Sequence, residues 1–317
     1  MRALTINEYG TPDVFKVEDI EKPTPGKHQV LIEVKNSSIN PVDWKIRAGH
    51  LSLIIPKHWP RVLGVDFAGI VSEVGSSVSA FKAGDAVFGM SNPLRSQYGA
   101  YAQFCICEKD SIAKKPDGLS FADAASIPVA ALTAYKAFKL QIKLQPDQRV
   151  LINGASGGVG SFAVQIAKAM GAKITATCGA DNIEFVKSLG AGEVIDYKER
   201  DVRTLEEKFD GIFDASAKLN FKDASRLLNK HGVYVTTVPD PYTAIGILTS
   251  FFGGKKAYIV SAGSGAFVPQ ELLAIAEMVV SGQVRPIIAK SVTLEEVPDA
   301  QKYSEQGHAR GKTVIDI

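Results

Sequence analysis

The chain is 317 residues long, a length that suits two domains of ordinary size. Hydrophobic residues make up 45% of it and charged residues 22%, the balance of a soluble globular protein. The formal net charge is +2 and no lysine- and arginine-rich cluster stands out, so we expect no nucleic-acid partner. No apolar run approaches the roughly 18 residues that a membrane-spanning helix needs, so we expect no integral membrane segment.

The cysteine content and the start of the chain bear on its location. Three cysteines, an odd number in a long chain, are typical of a reducing compartment and not of a disulfide framework. The first residues, Met1 to Ile6, are strand-like from the outset, which leaves no room for a signal or transit peptide. We therefore expect a cytoplasmic protein.

Short β-type segments dominate the first part of the chain. Turn signals such as Pro23 to Gly26 and Lys82 to Asp85 interrupt them often, which predicts a compact, mostly β domain. The predicted strands there are Val30–Val34, Ile70–Val74, Ala86–Phe88 and Ala100–Cys107.

From about Ser126 the pattern changes to strands that alternate with helices. Such alternation predicts a parallel sheet covered by helices on both faces. The stretch from Pro239 to Lys256 is predicted to be irregular, and the final strand, Lys312 to Ile317, is predicted to return to the first domain. Further predicted strands are Arg149–Asn153, Lys173–Thr177, Val194–Tyr197, Gly211–Ala215, Val233–Thr237 and Ala257–Ser261, and predicted helices are Val159–Met170, Asn182–Leu189, Phe221–Leu228 and Gln270–Val280.

The strongest chemical signal is a glycine-rich turn, residues 154–160, which follows a hydrophobic strand and opens an amphipathic helix. Such a turn places backbone N–H groups and the positive end of a helix dipole where a pyrophosphate can bind. The alternative, a tight turn without a ligand, is less favoured because the whole strand–turn–helix context is present. The predicted dinucleotide ligands are Gly154, Ser156, Gly157, Gly158 and Val159.

The end of the second strand bears on the choice of nucleotide. NAD-binding sites usually carry an acidic residue there for the ribose 2′-hydroxyl, and here that position falls near Gly179. An uncharged residue leaves room for a 2′-phosphate, so NADPH is favoured, although Asp181 nearby weakens the argument. No arginine stands in this loop, and the candidates for binding a 2′-phosphate are therefore Asn182, Tyr197, Arg310 and Lys312.

An ordered set of segments accompanies the glycine turn: Ser38–Gly49, Leu63–Val71, Phe81–Val87, Ala131–Tyr135 and Gly307–Lys312. Together they resemble the zinc-free quinone oxidoreductase branch of the medium-chain dehydrogenase/reductase superfamily, and the resemblance covers nearly the whole chain. It implies an α/β fold with a Rossmann doubly wound parallel sheet domain, residues 124–264. It also implies a mostly β GroES-like substrate domain, residues 1–123 with 265–317, and a possible homodimer through the strand near 257–261.

The resemblance also bears on metal binding. Zinc-dependent relatives carry a cysteine early in the chain and a Gly-His-Glu motif later, whereas this sequence has Asn40 at the first position and Gly64-Val65-Asp66 at the second. Valine cannot ligate a metal, and no Cys-x-x-Cys cluster offers a structural zinc site. We therefore expect no zinc.

Without a metal ion the substrate must already be electrophilic. Quinones and α,β-unsaturated carbonyls qualify, because hydride addition gives a delocalised anion that hydrogen-bond donors can stabilise. By resemblance, Asn40 lies beside the nicotinamide and Thr133 contacts its carboxamide or ribose. Lys45 is a candidate cation or proton donor, although an ordinary surface lysine is about as common at such a position. Trp44 and Tyr98 are candidates for the walls of the substrate pocket.

The expected function is therefore an NADPH-dependent oxidoreductase that acts on a quinone or an enone. The alternative is a dinucleotide-binding protein with little turnover that serves a structural or regulatory partner.

Overall fold

The computed structural model describes residues 1–93, 95–250, 254–263, 268–307 and 309–317. The chain divides into two compact units, residues 1–129, 265–280 and 288–317 in the first and residues 130–264 and 281–287 in the second. The domain boundaries given above stay predictions.

Strands and helices are numbered in chain order. The strands are β1 (Arg2–Ile6), β2 (Phe15–Asp19), β3 (Gln29–Ser38), β4 (Arg61–Val62), β5 (Asp66–Val74), β6 (Ala86–Met90), β7 (Phe104–Glu108), β8 (Ile112–Lys114), β9 (Arg149–Asn153), β10 (Lys173–Cys178), β11 (Glu193–Asp196), β12 (Phe209–Asp214), β13 (Leu228–Thr236), β14 (Lys256–Ile259), β15 (Ile288–Val292) and β16 (Lys312–Asp316). The helices are α1 (Pro41–Arg47), α2 (Phe121–Ser126), α3 (Pro128–Lys136), α4 (Gly158–Ala169), α5 (Ile183–Leu189), α6 (Phe221–Leu227), α7 (Pro241–Thr249), α8 (Val268–Val280) and α9 (Val297–Glu305).

The second unit is built on a parallel sheet of six strands in the order β11-β10-β9-β12-β13-β14. This is the strand order of a doubly wound Rossmann domain, and it confirms the expected fold class. The central strand β9 is buried from Val150 to Asn153, because helices cover both faces of such a sheet. The order reverses between β9 and β12, and ligands of open α/β sheets bind outside the carboxyl ends of the strands at this switch point.

The first unit is mostly β, as expected. Its larger sheet runs β15-β16-β3-β5-β6-β8, with β7 also paired to β3, and its smaller sheet runs β2-β1-β4. Val314 to Asp316 of β16 pair antiparallel with Asn36 to Ser38 of β3, which confirms that the end of the chain returns to this unit. Strand pairing therefore brings the two ends of the sequence to one sheet.

Two segments differ from the sequence-based expectation. The strand expected over Ala100–Cys107 begins only at Phe104, because Tyr101 instead exchanges backbone hydrogen bonds with Leu4 and Leu63. The stretch expected to be irregular contains α7, whose N-cap Asp240 accepts hydrogen bonds from two backbone N–H groups of the first turn. Because the outer side of α7 is also apolar, its sequence lacks the usual amphipathic pattern of a surface helix, and the helix was not predicted.

None of the helices in the described ranges combines the length and the apolar character that crossing a membrane requires.

Candidate functional site

The glycine turn after β9 is held by close contacts at two of its glycines. Gly154 has a φ of +83°, and a Cβ on it would lie 2.7 Å from Cβ of Ser216. A Cβ on Gly160 would lie 2.1 Å from the carbonyl oxygen of Gly154, so only glycine lets α4 approach the turn this closely. At Gly157, by contrast, a Cβ would come no nearer than 3.9 Å to that oxygen. The turn is thus tightly packed at Gly154 and Gly160, whereas Gly157 has room for a side chain.

The start of α4 offers backbone donors that have no acceptor within the helix, beside this position. Gly157 is the N-cap, and glycine has no side chain that could cap the helix. The first helical hydrogen bond runs from the N–H of Ser161 to the oxygen of Gly157, at 2.9 Å. The amides of residues 158–160 precede it and have no acceptor within the helix. Together with the helix dipole they form a site for an anionic group such as a diphosphate.

Three polar side chains at the carboxyl ends of neighbouring strands fix the turn. The Thr177 hydroxyl donates to Oδ1 of Asn153 at 2.5 Å and accepts from the N–H of Gly154 at 3.1 Å. The Asn153 amide donates to Oδ1 of Asp214 at 2.9 Å. All three side chains are buried. Asn153, Thr177 and Asp214 were not among the predicted site residues, although polar residues at the ends of buried parallel strands are a visible signal in the sequence.

The residues expected near a 2′-phosphate are partly brought together in the second unit. A Cβ on Gly179 would lie 3.6 Å from the hydroxyl oxygen of Tyr197, whose side chain is 49% exposed. The N–H of Asn182 donates to the oxygen of Gly179 at 2.9 Å. Gly179, Asn182 and Tyr197 therefore surround one surface position at the carboxyl ends of β10 and β11, with the exposed Asp181 beside it.

Lys312 does not fit the role of a phosphate ligand that the sequence predicted. Its side chain is only 3% exposed, and its ammonium donates to the oxygen of Ile39 at 3.0 Å, to Oδ1 of Asn40 at 2.6 Å and to Oδ2 of Asp66 at 3.3 Å. An ammonium has three donors, and all three are used. Arg310 is exposed, and its assignment stays a prediction.

Asn40 lies at the centre of a buried polar cluster in the first unit. It is the N-cap of α1, and its backbone N–H donates to Oδ2 of Asp43 at 2.8 Å. Its side-chain amide donates to Oδ2 of Asp66 at 2.8 Å. Asp43 also accepts from the N–H of Val65 at 3.1 Å and from the Tyr101 hydroxyl at 3.0 Å. Asn40 is 2% exposed, so its orientation is set by these partners.

Burial governs the charges in this cluster. Burial raises the pKa of Asp43 to about 7, and the nearby carboxylate of Asp66 raises it too, against the lowering effect of the Asn40 N–H. Burial also lowers the pKa of Lys312, although Asp66 and Asp43 attract its positive charge. Asp43 and Lys312 both interact electrostatically with Asp66, and Asp43 also attracts the charge of Lys312, so the protonation of each affects the other.

The remaining candidates lie in three places. Trp44 and Lys45 are neighbours on α1, both half-buried, with the Lys45 ammonium 5.6 Å from the centre of the Trp44 ring system. Thr133 lies on α3 and is 5% exposed. Tyr98 lines a cavity of about 310 Å³ in the first unit, together with Arg61 and other residues but not with Trp44. The two expected pocket walls therefore do not share this cavity.

The positions that bind zinc in metal-dependent relatives have an unsuitable set of side chains. Asn40 and Asp66 both hydrogen-bond to the Lys312 ammonium, so a cation already lies against them, and Val65 has no ligating atom. Within the described ranges, no group of three or more His, Cys, Asp or Glu side chains is placed to hold a metal ion. These residues do not fit zinc.

Comparisons with known proteins agree with this fold. Residues 26–117 match the family model of the alcohol dehydrogenase GroES-like domain, and residues 189–315 match that of the zinc-binding dehydrogenases. A chloroplast envelope quinone oxidoreductase homolog of Arabidopsis thaliana is 34% identical over all of this chain and 98% of its own length. The fold and the dinucleotide turn define a medium-chain dehydrogenase/reductase.

Solved structures place the chain more narrowly. A quinone oxidoreductase from Coxiella burnetii matches with a TM-score of 0.88 at 31% identity, covering 100% of this chain and 99% of the other. The Escherichia coli quinone oxidoreductase complexed with NADPH matches with a TM-score of 0.87 at 27% identity, covering 100% of both chains. The chain belongs to the quinone oxidoreductase-like proteins of the medium-chain dehydrogenase/reductase superfamily.

Proposed function

We propose that this protein is an NADPH-dependent oxidoreductase that transfers hydride to a quinone or an α,β-unsaturated carbonyl without a metal ion. The observation that carries the proposal is the turn at residues 154–160, where Gly160 packs closely on Gly154 while Gly157 has room beside the α4 amides that lack an acceptor within the helix. A diphosphate accepts from such amides, and a Cβ at Gly157 would obstruct it.

The preference for NADPH is supported by the surface around Gly179. Gly179, Asn182 and Tyr197 are themselves uncharged and present hydrogen-bonding groups at the end of β10, with the exposed Asp181 beside them. A carboxylate at this position would repel a 2′-phosphate, whereas the Tyr197 hydroxyl and the Asn182 amide can donate to it. The E. coli quinone oxidoreductase, a structural relative, was solved in complex with NADPH.

The proposed substrate class is supported by the side chains at the zinc positions of metal-dependent relatives, since Val65 has no ligating atom and Asn40 and Asp66 already bind the Lys312 ammonium. When bound, the reduced nicotinamide supplies a hydride, and an acceptor without a Lewis acid must stabilise the negative charge itself, as quinones and enones do. We propose that Lys45 interacts with the oxygen anion that develops on the substrate, because Lys45 is half-buried beside Trp44 on the helix that follows Asn40. Its ammonium would neutralise the charge or donate a proton.

Turnover of NADPH tests the proposal directly. The purified protein is mixed with NADPH and a panel of a benzoquinone, a naphthoquinone, an enal and a cyclic enone, and loss of the reduced-nicotinamide absorbance is followed. We expect consumption with at least one acceptor and much slower consumption by a Gly157→Val variant, whose new side chain meets no close protein atom at its Cβ. NADPH binding without consumption across the panel would instead support the binding-only alternative, and absence of binding would refute both.

We also propose a homodimer formed through the edge of the parallel sheet. In the described residues, β14 pairs with β13 on one side only, which leaves a row of backbone groups for another strand. The adjacent α7 exposes Tyr242, Ile245 and Leu248, at 44%, 54% and 65%. A second copy would cover this apolar face. Light scattering after size-exclusion chromatography should give the dimer mass for the wild type and the monomer mass for Ile245→Glu/Leu248→Glu.

A cytoplasmic location remains part of the proposal. Its support is that Cys105, Cys107 and Cys178 are all free and buried, which suits a reducing compartment. The Arabidopsis relative is named for the chloroplast envelope, so fractionation of the source cells with antibody detection is the required test.

A further inference from the structure

We infer that Asp66 is a positioning residue for the proposed reaction: its carboxylate, with Lys312 as counter-ion, fixes the Asn40 amide at the start of α1. Asn40 is the N-cap of α1, and the helix carries the other proposed site residue of this unit, Lys45. The inference rests on the proposed function and adds to it a pair of residues to which neither the sequence nor the relatives assigned such a role.

The two carboxylate oxygens of Asp66 are engaged by different elements. Oδ1 accepts from the backbone N–H of Val129 at 2.8 Å. Val129 is the second residue of α3, and because Pro128 before it has no N–H, this bond uses the first amide that the helix offers. A carboxylate at this place also interacts favourably with the helix dipole. Asp66 therefore also fixes the backbone at Val129, within the first unit.

Oδ2 holds the other element. It accepts from the Asn40 amide at 2.8 Å, the Ser38 hydroxyl at 3.0 Å and the Lys312 ammonium at 3.3 Å. Four donors thus surround a carboxylate that is fully buried. This matches the number of acceptor sites that a carboxylate has.

Lys312 and Asp66 together determine which way the Asn40 amide points. An ammonium can only donate, so the atom of Asn40 that lies 2.6 Å from Lys312 must be the oxygen. An ionised carboxylate can only accept, so the atom that lies 2.8 Å from Asp66 must be the NH₂ group. One N–H and one oxygen lone pair of Asn40 are left in a defined direction. Removal of both charged partners would allow the amide to flip.

Stability alone gives little reason for this ion pair. Burying two charges costs desolvation energy, and well-packed apolar residues of similar volume are often as stable. The pair also lies next to Asp43, which adds another buried carboxyl group. What the pair provides, and an apolar replacement would not, is a unique orientation of Asn40.

The test uses a charge-neutral double variant, Asp66→Asn/Lys312→Met, because either single change leaves a buried charge without its partner and risks misfolding. The matched control is Lys22→Met/Glu73→Gln, which removes an exposed ion pair of 2.9 Å in the same unit. Each protein is assayed for NADPH affinity by fluorescence, for kcat and KM with the best acceptor, and for the isotope effect with NADPH deuterated at the transferred position.

We expect kcat of the double variant to fall by about 10- to 100-fold, the usual effect of a small misplacement of reacting groups. NADPH affinity should stay within about twofold, because the glycine turn uses none of these residues, and the isotope effect should rise as hydride transfer becomes rate-limiting. The control variant should have the kcat, the NADPH affinity and the isotope effect of the wild type.

Three outcomes would overturn the inference. Wild-type kcat in the double variant would show that the orientation of Asn40 is not needed. A parallel loss of kcat and NADPH affinity, with an unchanged isotope effect, would indicate a structural role only. If the wild type itself consumes no NADPH with any acceptor, the proposed function is wrong and the inference is wrong with it. This third outcome can be told from the first two, because both of those require an active wild type.

Discussion

Gly160 and Gly154 lie against each other at the dinucleotide turn, at a separation where a Cβ on Gly160 would come within 2.1 Å of the Gly154 carbonyl oxygen. The contact brings the first turn of α4 directly behind the loop that follows β9. Gly157, three residues earlier on the open side, has no such neighbour, since its nearest atom would be 3.9 Å away. Two glycines of one motif therefore have separable roles.

We predict that Gly160→Ala lowers the free energy of unfolding by about 3 kcal/mol, because backbone atoms must move to admit the methyl group. Gly157→Ala should cost at most about 1 kcal/mol, the penalty for alanine at an N-cap, yet weaken NADPH binding about tenfold. Urea denaturation and fluorescence titration measure the two effects. A stable Gly160→Ala protein, or a Gly157→Ala protein with normal affinity, would contradict this division.

Thr177 supports the same turn from the neighbouring strand, since its hydroxyl bonds to both Asn153 and Gly154. Thr177→Val keeps the shape and leaves the two buried partners unsatisfied, so we expect a loss of about 1–3 kcal/mol in unfolding free energy together with weaker NADPH binding. Thr175→Val on the same strand is the control, because the Thr175 hydroxyl hydrogen-bonds to Glu193, at 3.3 Å, and not to the turn. Equal effects of the two substitutions on NADPH affinity would argue against a role of Thr177 in shaping the turn.

Local sequence patterns were sufficient for the central strand and the glycine turn of the second unit, but not for α7. The strand expected at Arg149–Asn153 has those bounds in the structure, because a buried parallel strand is a short apolar run that stops where a glycine turn begins. The start of α4 was expected within one residue for the same reason. Here the glycines of the turn and the period of the hydrophobic residues both predict the same boundaries for the strand and the helix.

The polar cluster could not be derived in this way. Lys312 is 272 positions from Asn40, and it was predicted as a candidate phosphate ligand only because the loop after β10 contains no arginine. Only the pairing of β16 with β3 shows that Lys312 is buried against Asn40 and Asp66. Long-range strand pairing determines these contacts, and no local pattern in a single sequence encodes it.

Cofactor preference should depend on Gly179. Gly179→Asp places a carboxylate beside Tyr197, where a Cβ has room at 3.6 Å, so we expect NADPH affinity to fall more than tenfold and NADH affinity to hold or rise. Gly179→Asn adds the same bulk without the charge and is the control. Titration of both cofactors with both variants checks the prediction. A similar loss of NADPH affinity in the two variants would indicate that steric crowding, and not charge, causes the loss.

Lys45 should affect catalysis without affecting cofactor binding. Lys45→Met keeps the aliphatic packing on Trp44 but removes the charge, and we expect kcat to fall by about 100-fold, the lower range for loss of a proton donor. NADPH affinity should not change. Lys35→Met, at an exposed lysine of the same unit, is the control. A normal kcat for Lys45→Met would indicate that Lys45 is an ordinary surface lysine without a catalytic role.

Asp43 should make stability fall as the pH rises. Its pKa is raised to about 7 in the folded protein, mainly by burial, whereas an unfolded aspartate titrates near 3.9. Between about pH 4 and 7 the folded state therefore retains a proton that the unfolded state has lost, and the folded state is progressively disfavoured across this window. The total effect is up to about 4 kcal/mol and levels off above pH 7.

The measurement is the unfolding free energy of the wild type minus that of Asp43→Asn, from urea denaturation at pH 5, 6, 7 and 8. Subtraction removes the titration of other groups, and we expect the difference to decrease by about 1.4 kcal/mol per pH unit below pH 7. Asp85→Asn is the control, because the hydrogen bond from Lys114 lowers the pKa of Asp85 and places its titration below this range. A difference for Asp43 that increased with pH would mean that its three hydrogen-bond donors outweigh burial, and that the carboxylate is the form that the fold prefers.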